Sequence, residues 1–196
     1  PDYREVLDVL DMQLVQYGSA LIQRRQTFAE ELGEIVHRIH SQLSGGQEEM
    51  ELKYEPNVTV DAFAQMLFSN RERDMRLKTT ATGPHRDDIS FVVNGVDIRK
   101  FGSQGQQRTA ALSLKLSEIE LVKRLIGDTP VLLLDDVLSE LDSGRQNYLL
   151  NSIENIQTLI TCTGLDEFVN HRFSINRIYK VTDGSVTVEN KQEADR

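Results

Sequence analysis

The stretch that decides the fold is Val131-Leu132-Leu133-Leu134-Asp135-Asp136-Val137-Leu138-Ser139-Glu140-Leu141-Asp142. Four branched apolar residues in a row read as a strand buried on both faces, as in a parallel α/β sheet. Pro130, just before them, suits the first residue of a strand. Two carboxylates follow where that strand should emerge, and ligands of open α/β sheets gather at the carboxyl ends of strands. A carboxylate there can hold Mg²⁺, directly or through water, and a second can orient an attacking water. Asp135 is therefore read as the Mg²⁺ residue, mostly through water, and Asp136 as the catalytic residue.

An apolar run ending in Asp has the form of a Walker B strand in a P-loop NTPase, and Ser139-Glu140-Leu141-Asp142 resembles the D-loop that follows it in ABC-type ATPases. About thirty residues upstream lies Phe101-Gly102-Ser103-Gln104-Gly105-Gln106-Gln107-Arg108-Thr109, followed by a helical pattern through Ala110, Leu112, Leu116, Ile119 and Leu125. Ser103 is a good N-cap, and Gly105 lets a ligand approach the backbone. A glycine-containing loop at a helix N-terminus is a natural anion site. A second, literal signature, Leu43-Ser44-Gly45-Gly46-Gln47, follows a helix pattern and precedes the strand-like Glu51-Leu52-Lys53-Tyr54. Its glycines suit a helix C-cap, so it is read as a decoy, and Ser44→Arg is expected to change little.

The 196 residues suffice for one large domain or two small ones, and 39% hydrophobic with 27% charged residues is ordinary for a soluble globular protein. No apolar run approaches the ~20 residues of a membrane span, and no signal-like segment opens the chain, so a cytoplasmic protein is expected. The first residue is Pro1 rather than Met, which suggests a piece of a longer chain. A single cysteine, Cys162, excludes an internal disulfide and a cysteine-based zinc site. Its strand-like setting predicts burial. The net charge of −9 gives no general attraction to nucleic acid, although Arg71 to Arg108 holds eight Lys/Arg against five Asp/Glu.

From about Asp2 to Leu43 the chain reads as helix. Leu7, Leu14, Leu21, Phe28 and Ile35 recur every seven residues, with Leu10, Tyr17, Leu32 and Ile39 in a second row. Both a projecting arm and a helix packed on a domain fit, and Gly18 is a possible kink. His37 and His40 read as solvated. A helix from Asn57 to about Lys78, capped by Asn or Thr, has a charged second half that suits a solvated face. Its Arg71, Arg73, Arg76 and Lys78 are the candidate DNA contacts. The loop Thr79 to Asp88 offers His85, Asp87 and Asp88 in no defined metal spacing. Asn94-Gly95 marks a hairpin. Helix from Gly144 to Ile153, strand from Gln157 to Thr161, a hairpin around Thr182-Asp183-Gly184 and a frayed tail over 189–196 complete the reading.

Three motifs carry a resemblance: Gly83-Pro84-His85-Arg86-Asp87-Asp88, Phe101 to Thr109, and Val131 to Asp142. In this order and spacing the chain resembles the RecF family, bacterial recombination-mediator ATPases related to SMC proteins, over the carboxyl half of the family's length. The resemblance implies an α/β fold: the carboxyl-terminal half of an ABC-type P-loop NTPase head with a helical arm, residues 1–78 as arm and 79–196 as head lobe. It implies ATP and Mg²⁺ as cofactors of the full-length protein and an ATP-dependent homodimer. In that dimer Ser103, Gln104, Gly105, Gln106 and Gln107 cap the partner's nucleotide in trans. It implies DNA binding at single-strand/double-strand junctions and loading of RecA with RecO and RecR, in repair, recombination, replication and the SOS response. No Gly-x-x-x-x-Gly-Lys-Ser/Thr occurs here, so the Walker A loop belongs to the family's amino half, and this chain alone is expected to be inactive. The switch histidine expected after the next strand is replaced by Thr161-Cys162-Thr163, with His171 too far on. Another SMC-like or ABC-type head, such as a transporter subunit, and a non-catalytic dimerisation module are the competing readings.

Overall fold

The structure, a computed structural model, describes residues 3–163 and 175–189. His171 and the tail beyond 189 lie outside the described residues. Contacts divide the chain into two compact units, Pro1–Thr129 and Pro130–Arg196. The expected division at 78–79 cuts through the first unit, because helix α1 packs on elements from both sides of it.

Helix α1, Tyr3–Leu43, runs without a break. Its buried positions, Gly18, Ile22, Ala29, Leu32, Ile35, Val36, Ile39, His40 and Leu43, are spaced so that one face turns inward. The seven-residue rows are not that face over the first two-thirds of the helix: Leu10, Leu14, Tyr17, Leu21 and Phe28 are 42–69% exposed. A straight helix drifts by roughly 20° per heptad, so a strict heptad row stays inward only along a supercoiled partner. Here α1 instead lies on a sheet and two helices. The helix continues through Gly18; a Cβ there would stand 2.4 Å from Cε1 of Phe63, so glycine serves close packing.

That Phe63 belongs to α2, Val60–Leu77, which buries Phe63 and Leu67 with Ile22 and Val58. The N-cap is Thr59, without a side-chain cap bond. Asn57 does other work: its Oδ1 accepts from Gly83 N at 3.0 Å and its own N–H donates to Asp87 Oδ1 at 3.0 Å. Strands β1 (Met50–Glu55), β2 (Asp88–Val93) and β3 (Val96–Asp97) form an antiparallel sheet in that order, with Met50 opposite Val93 and Glu55 opposite Asp88. Asn94 (φ 48°) and Gly95 (φ 82°) make the tight turn that the dipeptide predicts.

The acidic loop is a latch. Asp87, 3% exposed in its side chain, accepts from Arg25 Nη1 at 2.9 Å, from the Tyr54 hydroxyl and from the Asn57 amide. Burial, and then the hydrogen bond to Asp87, push the Tyr54 hydroxyl up to about 12. His85 Nε2 lies 2.8 Å from Thr80 O, and Asp88 takes Arg99 at 2.8 Å, so each of the three loop groups has its own structural partner.

After the short α3 (Ile98–Phe101), α4 spans Gln104–Ile126 and ends on Gly127 at φ 73°. It packs on α1 through a polar seam: Thr109, Ser113 and Ser117 are buried, and each hydroxyl donates to the carbonyl four residues back, at 2.8, 2.8 and 2.6 Å. His40 closes against this seam with no exposed surface, which corrects its reading as solvated; His37 is exposed as expected. Both ring nitrogens have partners, Ser113 Oγ at 2.9 Å and Glu48 Oε2 at 3.2 Å, so burial leaves neither unsatisfied.

In the second unit β4 (Leu132–Asp135) pairs in parallel with β5 (Thr158–Thr161), with α5 (Ser143–Ser152) between them in sequence. Strands β6 (Ile178–Thr182) and β7 (Ser185–Glu189) form a hairpin. Burial of the decisive strand on both faces does not hold within this chain. Leu134 is 7% exposed, but Val131 and Leu133 are 55% and 71% exposed. Among the described residues β4 has one strand neighbour, and the face carrying Leu133 and Leu159 is uncovered. Cys162 is half-buried rather than buried.

Two outcomes follow from the first unit. Gly18→Ala should cost ~1–3 kcal/mol, because the ring it meets is itself core, and Phe63→Leu should recover part of the loss; thermal unfolding of both variants checks this. Folding favours the neutral Tyr54, whose hydroxyl rises from 10.0 to about 12. Its contribution is complete below pH ~10 and is lost as pH climbs to ~12. Tyr54→Phe should flatten the stability profile in that window.

Candidate functional site

The loop opening α4 is a complete capping box. Ser103 Oγ accepts from Gln106 N at 3.2 Å, and Gln106 Oε1 accepts from Ser103 N at 3.1 Å. Ser103, Gln104 and Gly105 are exposed. A Cβ on Gly105 would meet only Ser103 Oγ, at 4.0 Å, so the backbone is open to a ligand. The first-turn amides have no intrahelical acceptor, and the positive end of the helix dipole lies there. Gln107, also exposed, is tied to α3: its Nε2 donates to Ile98 O at 2.9 Å.

The literal signature sits at the opposite kind of helix end. Gly45 (φ 65°) and Gly46 (φ 76°) terminate α1, with Gly46 N–H on Ser41 O at 2.7 Å, and β1 follows. Its amides close the helix, beside the negative end of the dipole.

Asp135 and Asp136 stand exposed at the carboxyl end of β4, and both are held by one residue. Thr161 lies opposite Asp135 in the ladder. Its hydroxyl donates to Asp135 Oδ1, and the Asp136 amide reaches both Thr161 Oγ1 (3.0 Å) and Thr161 O (3.2 Å). Asp136 has φ 51°, left-handed backbone that carries a penalty for any residue with a Cβ. From the other side the Ser139 hydroxyl donates to Asp136 O at 2.9 Å. Thr161 was not among the predicted site residues; its signal was the strand end where a histidine was sought. An exposed carboxylate at a strand end, with one oxygen held by Thr161, fits Mg²⁺ bound chiefly through water and phosphate.

In the D-loop-like segment, Leu138–Glu140 is a 3-10 turn, and the Leu141 amide donates to Leu138 O at 3.1 Å. The Glu140 side chain lies outside the described residues. Asp142 caps α5, accepting from Arg145 N at 3.0 Å, and that amide, with the Arg145 charge, holds its carboxyl below the usual range. Of the candidate DNA contacts, Arg73, Arg76 and Lys78 are exposed. Arg71 is taken up by α1: it pairs with Asp8 at 2.6 Å and with Asp11, and lies 5.5 Å over the Phe68 ring.

No protein-family profile matches the chain. The "DNA replication and repair protein RecF" of Lachnospira eligens is 59% identical over 186 residues, 95% of this chain and 51% of that one. That of Agathobacter rectalis is 59% identical over 188 residues, 96% and 52% respectively. A solved structure of the recombination mediator protein RecF with ATP superposes with a TM-score of 0.81 at 34% identity, covering 95% of this chain and 51% of that one. The chain belongs with RecF, matching its carboxyl-terminal half. It spans about half the length of the curated RecF relatives. The fold is correspondingly half of an ABC-type ATPase head with a helical arm. An SMC ATPase structure, at 14% identity and TM-score 0.52, shares the fold alone. No described helix is long and apolar enough to cross a membrane.

The left-handed backbone at Asp136 gives a direct check. Asp136→Gly should stabilise the second unit by up to ~1 kcal/mol, seen as a raised unfolding midpoint, because glycine takes this φ without a Cβ clash. A lowered midpoint would mean the aspartate side chain itself stabilises the turn.

Proposed function

We propose that this chain is the carboxyl-terminal half of a DNA-repair ATPase of the recombination-mediator type. Whole, it binds ATP with Mg²⁺ and forms a homodimer around two nucleotides. The reading is carried by one pairing within the sequence. An open, capped helix N-terminus at Ser103 suits a phosphate, and the strand-end carboxylates Asp135 and Asp136 suit a metal and a water.

In this reading the loop Ser103-Gln104-Gly105-Gln106-Gln107 receives the γ-phosphate of the nucleotide bound by the other subunit, with Ser103 adding a hydroxyl donor. The Gln104 and Gly105 amides lie outside the capping box, which already fixes the turn that carries them, so they need no reorganisation to do so. Asp135 holds Mg²⁺, which neutralises phosphate charge when bound. Asp136 positions or deprotonates the attacking water, its direction fixed by the pinned backbone on both sides. Thr161 sits where a switch histidine is expected and orients Asp135 through its hydroxyl. Ser139, Glu140, Leu141 and Asp142 form the D-loop.

DNA at single-strand/double-strand junctions is the proposed substrate surface, with RecO, RecR and RecA as partners in loading recombinase at gaps. The chain's charge of −9 argues that cations are gathered by dimerisation rather than spread over one subunit. Arg73, Arg76 and Lys78 are the available contributors; Arg71 is already neutralised by α1. The setting is cytoplasmic.

This chain alone should not turn over ATP, since it lacks a phosphate loop. In the whole protein, Asp136→Asn should leave ATP binding intact, slow hydrolysis by ~10²-fold or more, and accumulate the dimer. Single-turnover hydrolysis with sedimentation checks both. Parental hydrolysis by Asp136→Asn would remove Asp136 from the reaction.

A further inference from the structure

The residue after the literal signature ties α1 to the loop that opens α4. Glu48 has two carboxylate oxygens and uses both. Oε1 accepts from Gln106 Nε2 at 3.0 Å, and Oε2 lies 3.2 Å from His40 Nε2. Nε2 and a carboxylate oxygen cannot both be bare acceptors, so a proton lies between them. On the other side of the ring Nδ1 lies 2.9 Å from Ser113 Oγ, a buried hydroxyl that can give or take a proton there. The His40 side chain is fully buried and that of Glu48 is 20% exposed, which keeps this link largely out of water.

Its other end sets the loop. With Nε2 on Glu48, the Gln106 amide has one orientation, and its Oε1 falls on Ser103 N. The capping box is thus oriented from outside itself. Ser44 places the bridge: Glu48 N donates to Ser44 Oγ at 3.2 Å, and Ser44 Oγ lies 3.2 Å from Ser41 O.

We propose that Glu48 is a positioning residue for the Ser103–Gln107 loop, an acceptor-only bridge that fixes Gln106 against buried His40. This rests on the reading of that loop as the phosphate receiver. It also changes the expectation for Ser44: the literal motif takes no phosphate, but its serine seats the residue that holds the loop that does.

Glu48→Gln is the informative variant, since it keeps size but offers one carbonyl to two donors. In the whole protein, with a slowly hydrolysed ATP analogue, sedimentation should show self-association weakened roughly 10-fold by Glu48→Gln and by Gln106→Ala. The double variant should be no worse than Gln106→Ala alone, because both break one link. Each subunit's own nucleotide affinity should be unchanged. Gln106→Ala breaks the same link from the loop side and stands in if Glu48→Gln does not fold. Parental association of either single variant, or effects that multiply in the double, would overturn the proposal. Ser103→Arg separates the two levels: if it keeps the nucleotide-dependent dimer, the reading of the loop fails. If it loses the dimer while Glu48→Gln keeps it, only the role of Glu48 fails.

Discussion

Everything before Thr129 is assembled on the inward face of α1. That face carries a residue without a side chain at Gly18, where the Phe63 ring presses in, then apolar Ile22, Ala29, Leu32 and Val36, and finally polar His40 against the serine seam of α4. A long helix is stabilised mainly by such tertiary burial rather than by propensity. Charged groups along its length fix the register: Asp8 and Asp11 on Arg71, Arg25 on Asp87, Arg38 on Glu120. One helix therefore sets the positions of α2, the sheet, the acidic loop and the helix whose N-terminus is the candidate phosphate receiver.

Elements governed by local rules were legible in the sequence. Asn94-Gly95 turns as its backbone preference requires, Ser103 caps α4, and the apolar run at 132–134 is a strand ending in two carboxylates. The helical character of residues 3–43 was also plain, but its buried face was legible only in the last third, where Leu32, Ile35 and Ile39 of the heptad rows are buried. Heptad spacing marks what a supercoiled partner would see, and among the described residues α1 has none. Asp87, His40 and Thr161 were missed or misread for a common reason. Each acts through partners far along the chain, 62 residues for Arg25–Asp87, 73 for His40–Ser113 and 26 for Asp135–Thr161. Side-chain pairing over such distances leaves no periodic trace.

The two signature-like segments illustrate why a motif needs its helix end. Both contain Ser and Gly, yet one lies at the positive end of α4 with exposed amides, the other at the negative end of α1 with its amides spent on closing it. The positive end of the α4 dipole favours an anion near Ser103, and the negative end of the α1 dipole disfavours one near Ser44. At the strand end, strain and anchoring act together: a left-handed Asp136 persists because Thr161 and Ser139 hold its amide and carbonyl. The half-covered β4 accords with a chain that spans half of its relatives.

If the α4 N-terminus, rather than the literal motif, meets nucleotide across a dimer, a structure of the whole protein with a slowly hydrolysed ATP analogue will show Ser103 Oγ and the Gly105 amide within hydrogen-bond distance of the γ-phosphate held by the other subunit, with residues 43–47 away from it. A γ-phosphate seated on Ser44 and Gly45, with Ser103 facing solvent, would overturn that assignment.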